Sequence, residues 1–242
     1  QATVAGHHLG DRARAVGEPV NGFPSWGERV LHAWINRARS DPQVDLAACS
    51  GGGSPACPDA GCYTATAPLA WSDAAAHAAR FHAANMVSQG FFAHDSRCRL
   101  VTDIGSLFPG SCDGSAACAC EAGTVSATAC PATCTTFAQR IPLFGTPASG
   151  EIIASPSDPD AAFGLWIREP TASPTCAFTQ ENGHRWLILK ASGAMGSGIS
   201  GYSVVYFTSG GPPGKIPSGA HYPRQAATVE ASIRLLAFEY KK

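Results

Sequence analysis

Charge is scarce in this chain: of its 242 residues only 14% are Asp, Glu, Lys or Arg, and the formal net charge is −1. It has no Lys/Arg run, and without a clustered basic face there is no electrostatic footprint for a nucleic acid. No apolar stretch approaches the ~20 residues that a membrane-spanning helix needs, because charged residues break every candidate window. Nucleophile signatures are missing as well. Ser200 has no G-x-S-x-G frame, and paired cysteines are poor nucleophiles. Gly196-Ser-Gly198-Ile-Ser-Gly201 matches G-x-G-x-x-G in form, but it precedes a strand pattern and opens no helix. It therefore reads as a flexible hairpin turn and not as a dinucleotide site.

What the chain has instead is 45% hydrophobic residues together with 26 Gly and 18 Pro, a globular composition with long surface loops. There are ten cysteines, and Cys112, Cys118, Cys120, Cys130 and Cys134 crowd into one stretch of small residues that could not hold itself together by burial. Disulfides are the natural staples there. Zinc is the rival reading, but no histidine lies between Cys98 and Cys134, and Cys118-x-Cys120 is too tight for a ligand loop. The pairing is open from sequence, apart from a local bridge expected among Cys49, Cys57 and Cys62. A disulfide framework places the protein outside the cytoplasm, and a start at Gln1 fits a removed signal peptide.

Residues 1–24 read as an N-terminal surface arm, and the adjacent His7 and His8 on it as solvated residues. Ser25-Trp-Gly-Glu28 is a capping box that opens a helix whose apolar positions are Val30, Leu31, Trp34, Ile35 and Ala38. That spacing leaves Glu28, Arg29, Arg37 and Arg39 toward water or a cleft, and Asp41-Pro42 ends the helix. A second helix opens at Ser72 and exits at Gly90. Its Ala75, Ala78, Ala79, His82, Ala83 and Met86 form a buried stripe, the alanines predicting close approach to a neighbour. His77 and His82 are expected to be packing residues. Residues 97–136 form a long cysteine-rich insertion. Asp158 and Pro159 start a third helix, which runs through Trp166. Trp186 to Lys190 and Tyr202 to Phe207 read as strands. Residues 210–242 read as a linker followed by a strand from Thr228 to Tyr240, the stump of a further domain.

Several segments in order carry a resemblance. Val30-Leu-His-Ala-Trp-Ile-Asn36-Arg-Ala-Arg39 is followed by Leu69-Ala-Trp71 and by Met86…Gly90-Phe-Phe-Ala-His94. Then come Gly150-Glu151-Ile-Ile-Ala154, Trp166-Ile-Arg-Glu169 and Gly183-His184-Arg185. Over residues 25–209 this resembles a bacterial CAP domain, of the superfamily that joins cysteine-rich secretory, antigen 5 and pathogenesis-related 1 proteins. The family's Gly-Glu-Asn-Ile segment departs here at Ile152.

The resemblance implies an α+β fold, a three-layer α-β-α sandwich with the insertion added. It also implies a cleft in which His94, His184, Glu151 and Glu169 converge on a divalent, zinc-like ion. Two neutral imidazoles with carboxylates suit such an ion and leave a position for water. Glu151 and Glu169 are also the candidates for a general base. The bland alternative is that His94 and Glu151 merely brace loops, since buried polar groups must be paired. Three functions stay open: extracellular recognition of a ligand or protein, metal-dependent peptidase-like hydrolysis, and carriage of a lipid or sterol.

Overall fold

A computed structural model describes residues 24–50, 57–126, 133–171 and 174–209. The expectations for the N-terminal arm, for His7 and His8, and for the linker and strand beyond 209 lie outside these residues.

Helix α1 (Trp26–Ser40) starts as its sequence dictates: Ser25 accepts from the Glu28 amide, and the Glu28 carboxylate takes the Ser25 N–H at 2.7 Å. Asp41 ends it, and the one-turn helix α2 (Pro42–Leu46) follows with Pro at its first position. Glu28 and Arg39 do not face water. Glu28 is buried and takes both Arg80 Nε and Nη2 at 2.7 Å, so one carboxylate closes the cap and ties α1 to a second helix. Buried Arg39 donates to the carbonyls of Ala67 and Ile188. Asn36 brackets the Leu69 peptide, accepting its N–H and donating to its carbonyl, which fixes the short strand β1 (Ala70–Trp71) beside α1. Helix α3 (Asp73–Gln89) is capped by Ser72 and leaves through Gly90 in the left-handed region.

The cysteine-rich stretch is organised around one-turn helices α4 (Ile104–Leu107) and α5 (Ala116–Ala119), and after it comes α6 (Phe137–Arg140), which a Thr136/Gln139 capping box opens. Strand β2 (Gly150–Ala154), helix α7 (Pro159–Ile167), helix α8 (Gly183–Lys190), strand β3 (Ala194–Ser200) and strand β4 (Tyr202–Thr208) complete the described fold. The sheet has the order β1-β3-β4-β2, with β1 parallel to β3 and the other pairs antiparallel. The fold is α+β, and β2 is an edge strand.

Two strand expectations change. Trp186 to Lys190 is helical: a short apolar run without alternation is ambiguous in period, and it holds only one β-branched residue, Ile188. The glycine run before Gly201 is not a loop but strand β3, and only Gly201, at φ 68, makes the turn. A Cβ at Gly196 or Gly198 would strike the α3 backbone at Ala75–Ala76 and at Ala79–Arg80. The predicted alanine face therefore packs directly on bare strand backbone, and each surface explains the other.

Alternation along β4 divides the core. Val205 and Phe207 join Leu31, Ile35, Trp166 and Ile188 in one apolar cluster, while Val204 and Tyr206 join Ala79, Phe81, Met86 and Ile104 in another. Strand β2 follows suit, with Ile152 in the first cluster and Ile153 in the second.

Candidate functional site

Disulfides consume the described cysteines. Cys49 joins Cys57, Cys62 joins Cys176, Cys98 joins Cys120 and Cys112 joins Cys118, and Cys134 is bonded as well. The local bridge expected near Cys49 is present, while Cys62 reaches 114 residues along the chain. Cys112, Asp113 and Cys118 bring their ligand-type atoms within 4.8 Å of one another. Their sulfurs are joined at 2.07 Å, so no thiolate is left to bind a metal, and an Asp113 carboxylate oxygen takes the Ser115 N–H.

The four residues singled out from sequence form two pairs beside the edge strand β2. Glu151, on the strand, accepts from His94 Nδ1 at 2.7 Å. Glu169, just past the end of α7, accepts from His184 Nδ1 at 2.6 Å and from the Arg185 amide at 2.8 Å. Helix α8, which carries His184, packs on β2: a Cβ on Gly150 would meet the Leu187 side chain. Among the described residues no three of the four bring ligand atoms within 4.8 Å of one another. Each carboxylate thus belongs to its own imidazole.

The pairs share a division of labour. The carboxylates are buried, while the His94 and His184 side chains are 50% and 34% exposed. Each ring spends Nδ1 on the carboxylate and has no partner for Nε2 among the described residues. A carboxylate acceptor on Nδ1 selects the tautomer whose Nε2 lone pair is free.

Around Glu151 the structure adds groups that the sequence did not nominate. Fully buried Arg140 donates from Nη2 to Glu151 Oε2 at 2.6 Å and from Nε to the Tyr206 hydroxyl at 2.7 Å. Burial by itself would raise the Glu151 carboxyl, but the Arg140 charge, with contributions from His82 and His94, outweighs it and holds the group at about 2. Burial pushes the Tyr206 phenol up. His82 is completely buried as a packing residue, but it also reaches to 3.8 Å from Glu151 Oε2. Its Nε2 donates to the Ala93 carbonyl, and burial, reinforced by the like charge of Arg140, lowers its pKa to about 3. It is neutral at pH 7.

Glu169 is framed differently. The Arg185 guanidinium donates to the Glu169 and Ile167 carbonyls at 2.8 and 3.1 Å, and its charge is balanced by buried Asp59 at 3.0 Å. Asp59 lies between the disulfide cysteines Cys57 and Cys62 and also accepts from the Tyr63 hydroxyl. Sequence offered one hint to these arginines: Thr136-Phe-Ala-Gln139 has the capping-box form that places Arg140 on a helix.

No family model matches the chain, and no curated protein matches it. Among solved structures it is similar to an extracellular protein containing an SCP domain from Bacillus anthracis strain Ames, at 16% identity and a TM-score of 0.41. The alignment covers 85% of this chain and 45% of that one, so the chain spans less than half of that protein's length.

Proposed function

We propose that the chain is a secreted CAP-type module, a three-layer α-β-α sandwich, that holds a divalent metal through His94 and His184 and acts in extracellular recognition. The observation that carries the reading is the repeated pair: two part-exposed imidazoles, each with Nδ1 on a buried carboxylate and Nε2 directed away from it. Metal-ligating histidines characteristically use one ring nitrogen for the ion and give the other N–H to a carboxylate. That arrangement supports a zinc-like ion with His94 and His184 as ligands and Glu151 and Glu169 as the groups that orient them. Such an ion, when bound, supplies a Lewis acid and an acidified water.

The order of the family-like segments, the helices against both sheet faces and the disulfides support the rest of the reading, as does an extracellular setting, where such bridges persist. Among the described residues no helix is long and apolar enough to cross a membrane. Recognition is favoured over hydrolysis because both glutamates are already committed. Glu151 spends its oxygens on His94 and Arg140, and Glu169 spends its oxygens on His184 and the Arg185 amide. Each of the four oxygens already accepts a hydrogen bond, and the Glu151 carboxyl, held at about 2, is a weak base.

Calorimetric titration of zinc into metal-stripped protein, run beside His94→Ala and His184→Ala, tests the metal site. Binding to the parent that is lost in both variants is the expected result. Undiminished binding in either variant would remove that histidine from the site.

A further inference from the structure

Arg140 makes more contacts than charge balance requires. Its Nη2 donates both to Glu151 Oε2, at 2.6 Å, and to the backbone carbonyl of His94, at 2.8 Å. Its Nη1 donates to Ser96 Oγ at 3.0 Å and its Nε to Tyr206 at 2.7 Å. The carboxylate on Arg140 is the one that receives His94 Nδ1. A closed ring results, running from the imidazole through the carboxyl group to the guanidinium and back to the main chain of His94.

We propose that Arg140 is a positioning residue, which fixes His94 as the Nδ1–H tautomer with Nε2 outward by gripping at once its carboxylate and its backbone. The planar guanidinium alone among side chains can do this, because several fixed donors must diverge toward acceptors on three segments. The cysteine-rich stretch delivers it. Thr135 exchanges backbone hydrogen bonds with Ser96 and Cys98, so the chain closes beside His94 and enters α6 with Arg140 at its last position. The insertion is thereby part of the site's frame. Among the described residues His184 has no equivalent ring, since Glu169 is held through the backbone amide of Arg185.

The test reads tautomers in metal-free full-length protein by two-bond 1H–15N correlation spectra of the histidine rings. In the parent, both His94 and His184 should show Nδ1–H. In Arg140→Lys a single ammonium replaces the fork, and His94 should lose that signature while His184 keeps it. A role confined to folding would move both rings or neither. Should Arg140→Lys fail to melt cooperatively, Tyr206→Phe, which removes one hydroxyl, gives the second reading, with partial loss at His94 alone. A His94 without Nδ1–H in the parent, or one unchanged in the folded variant, overturns the proposal.

The inference rests on the metal-site reading only for its consequence: zinc affinity in Arg140→Lys should fall about tenfold to a hundredfold. A parent that takes no zinc but whose His94 signature still moves in Arg140→Lys sinks the metal site and leaves the role of Arg140 standing. Equal zinc binding with an unmoved signature does the reverse.

Discussion

The two histidine pairs look alike at the ring and differ one bond further in. At Glu151 the guanidinium neutralises the carboxylate itself, so charge and position come from the same atoms. At Glu169 the guanidinium neutralises Asp59, and the carboxylate is positioned by a main-chain N–H that any residue but proline would supply at that place. One pair depends on a side chain, the other on a helix start and a disulfide-tied loop. Equal disruption of the two arginines should therefore cost similar stability and have unequal consequences at the histidines.

Arg140→Met and Arg185→Met are the strongest means of breaking that comparison. Each leaves a buried carboxylate uncompensated, Glu151 in one case and Asp59 in the other, and each should cost about 3–5 kcal/mol in urea denaturation. The ring signatures should then separate. His94 changes in the first variant, whereas His184 in the second retains its Nδ1–H, because the substituted residue still donates its backbone amide to Glu169. Loss of the His184 signature in Arg185→Met would show that the guanidinium, and not the amide, sets that pair.

A smaller effect tests the bridge that ties the chain leading into α8. The Cys62–Cys176 bridge spans 114 residues, and a disulfide that constrains the unfolded chain is typically worth about 2–4 kcal/mol. Replacing both cysteines with alanine should lower stability by that amount and perturb His184 while leaving His94 in place. An equal change at both rings would mean that the bridge acts on the whole fold and not through the chain that runs from Cys176 into α8.

The sequence made the candidate site residues legible and left their supports hidden. His94, Glu151, Glu169 and His184 stood out because each sits in a short motif, and the capping signals at Ser25, Ser72 and Asp158 are local chemistry that tertiary packing does not override. Arg140, Asp59 and Tyr206 act across 11 to 126 residues of chain, and no local pattern distinguishes a buried arginine from a surface one. Helix α8 was hidden for a different reason: eight residues are short for a period, and Trp186 to Lys190 is helical where it packs against α1, α7 and β2. The glycines of β3 misled in the opposite direction. Their freedom suggested a turn, when what mattered was the missing Cβ that admits the alanines of α3.

His82 gives the smallest and most selective comparison, because it lies 3.8 Å from Glu151 and has no counterpart at Glu169 among the described residues. Its pKa falls from 6.5 to about 3 on folding. Above pH ~6.5 the ring is neutral in both states, and its titration contributes nothing to the pH dependence. Below that, the unfolded chain takes up a proton that the folded one refuses, so stability is lost as pH falls toward 3, by at most about 1.4 kcal/mol per pH unit. The depressed Glu151 carboxyl acts with the same sign but lower down, from its ordinary 4.5 toward 2. Half-buried His32, also lowered, tilts the upper window the same way and remains in any His82 variant. The difference between parent and His82→Gln from pH ~4.5 to ~6.5 therefore isolates one proton. A flatter stability curve in the variant is the expected outcome, and parallel curves would mean that His82 titrates normally in the fold and that the Arg140 charge does not reach it.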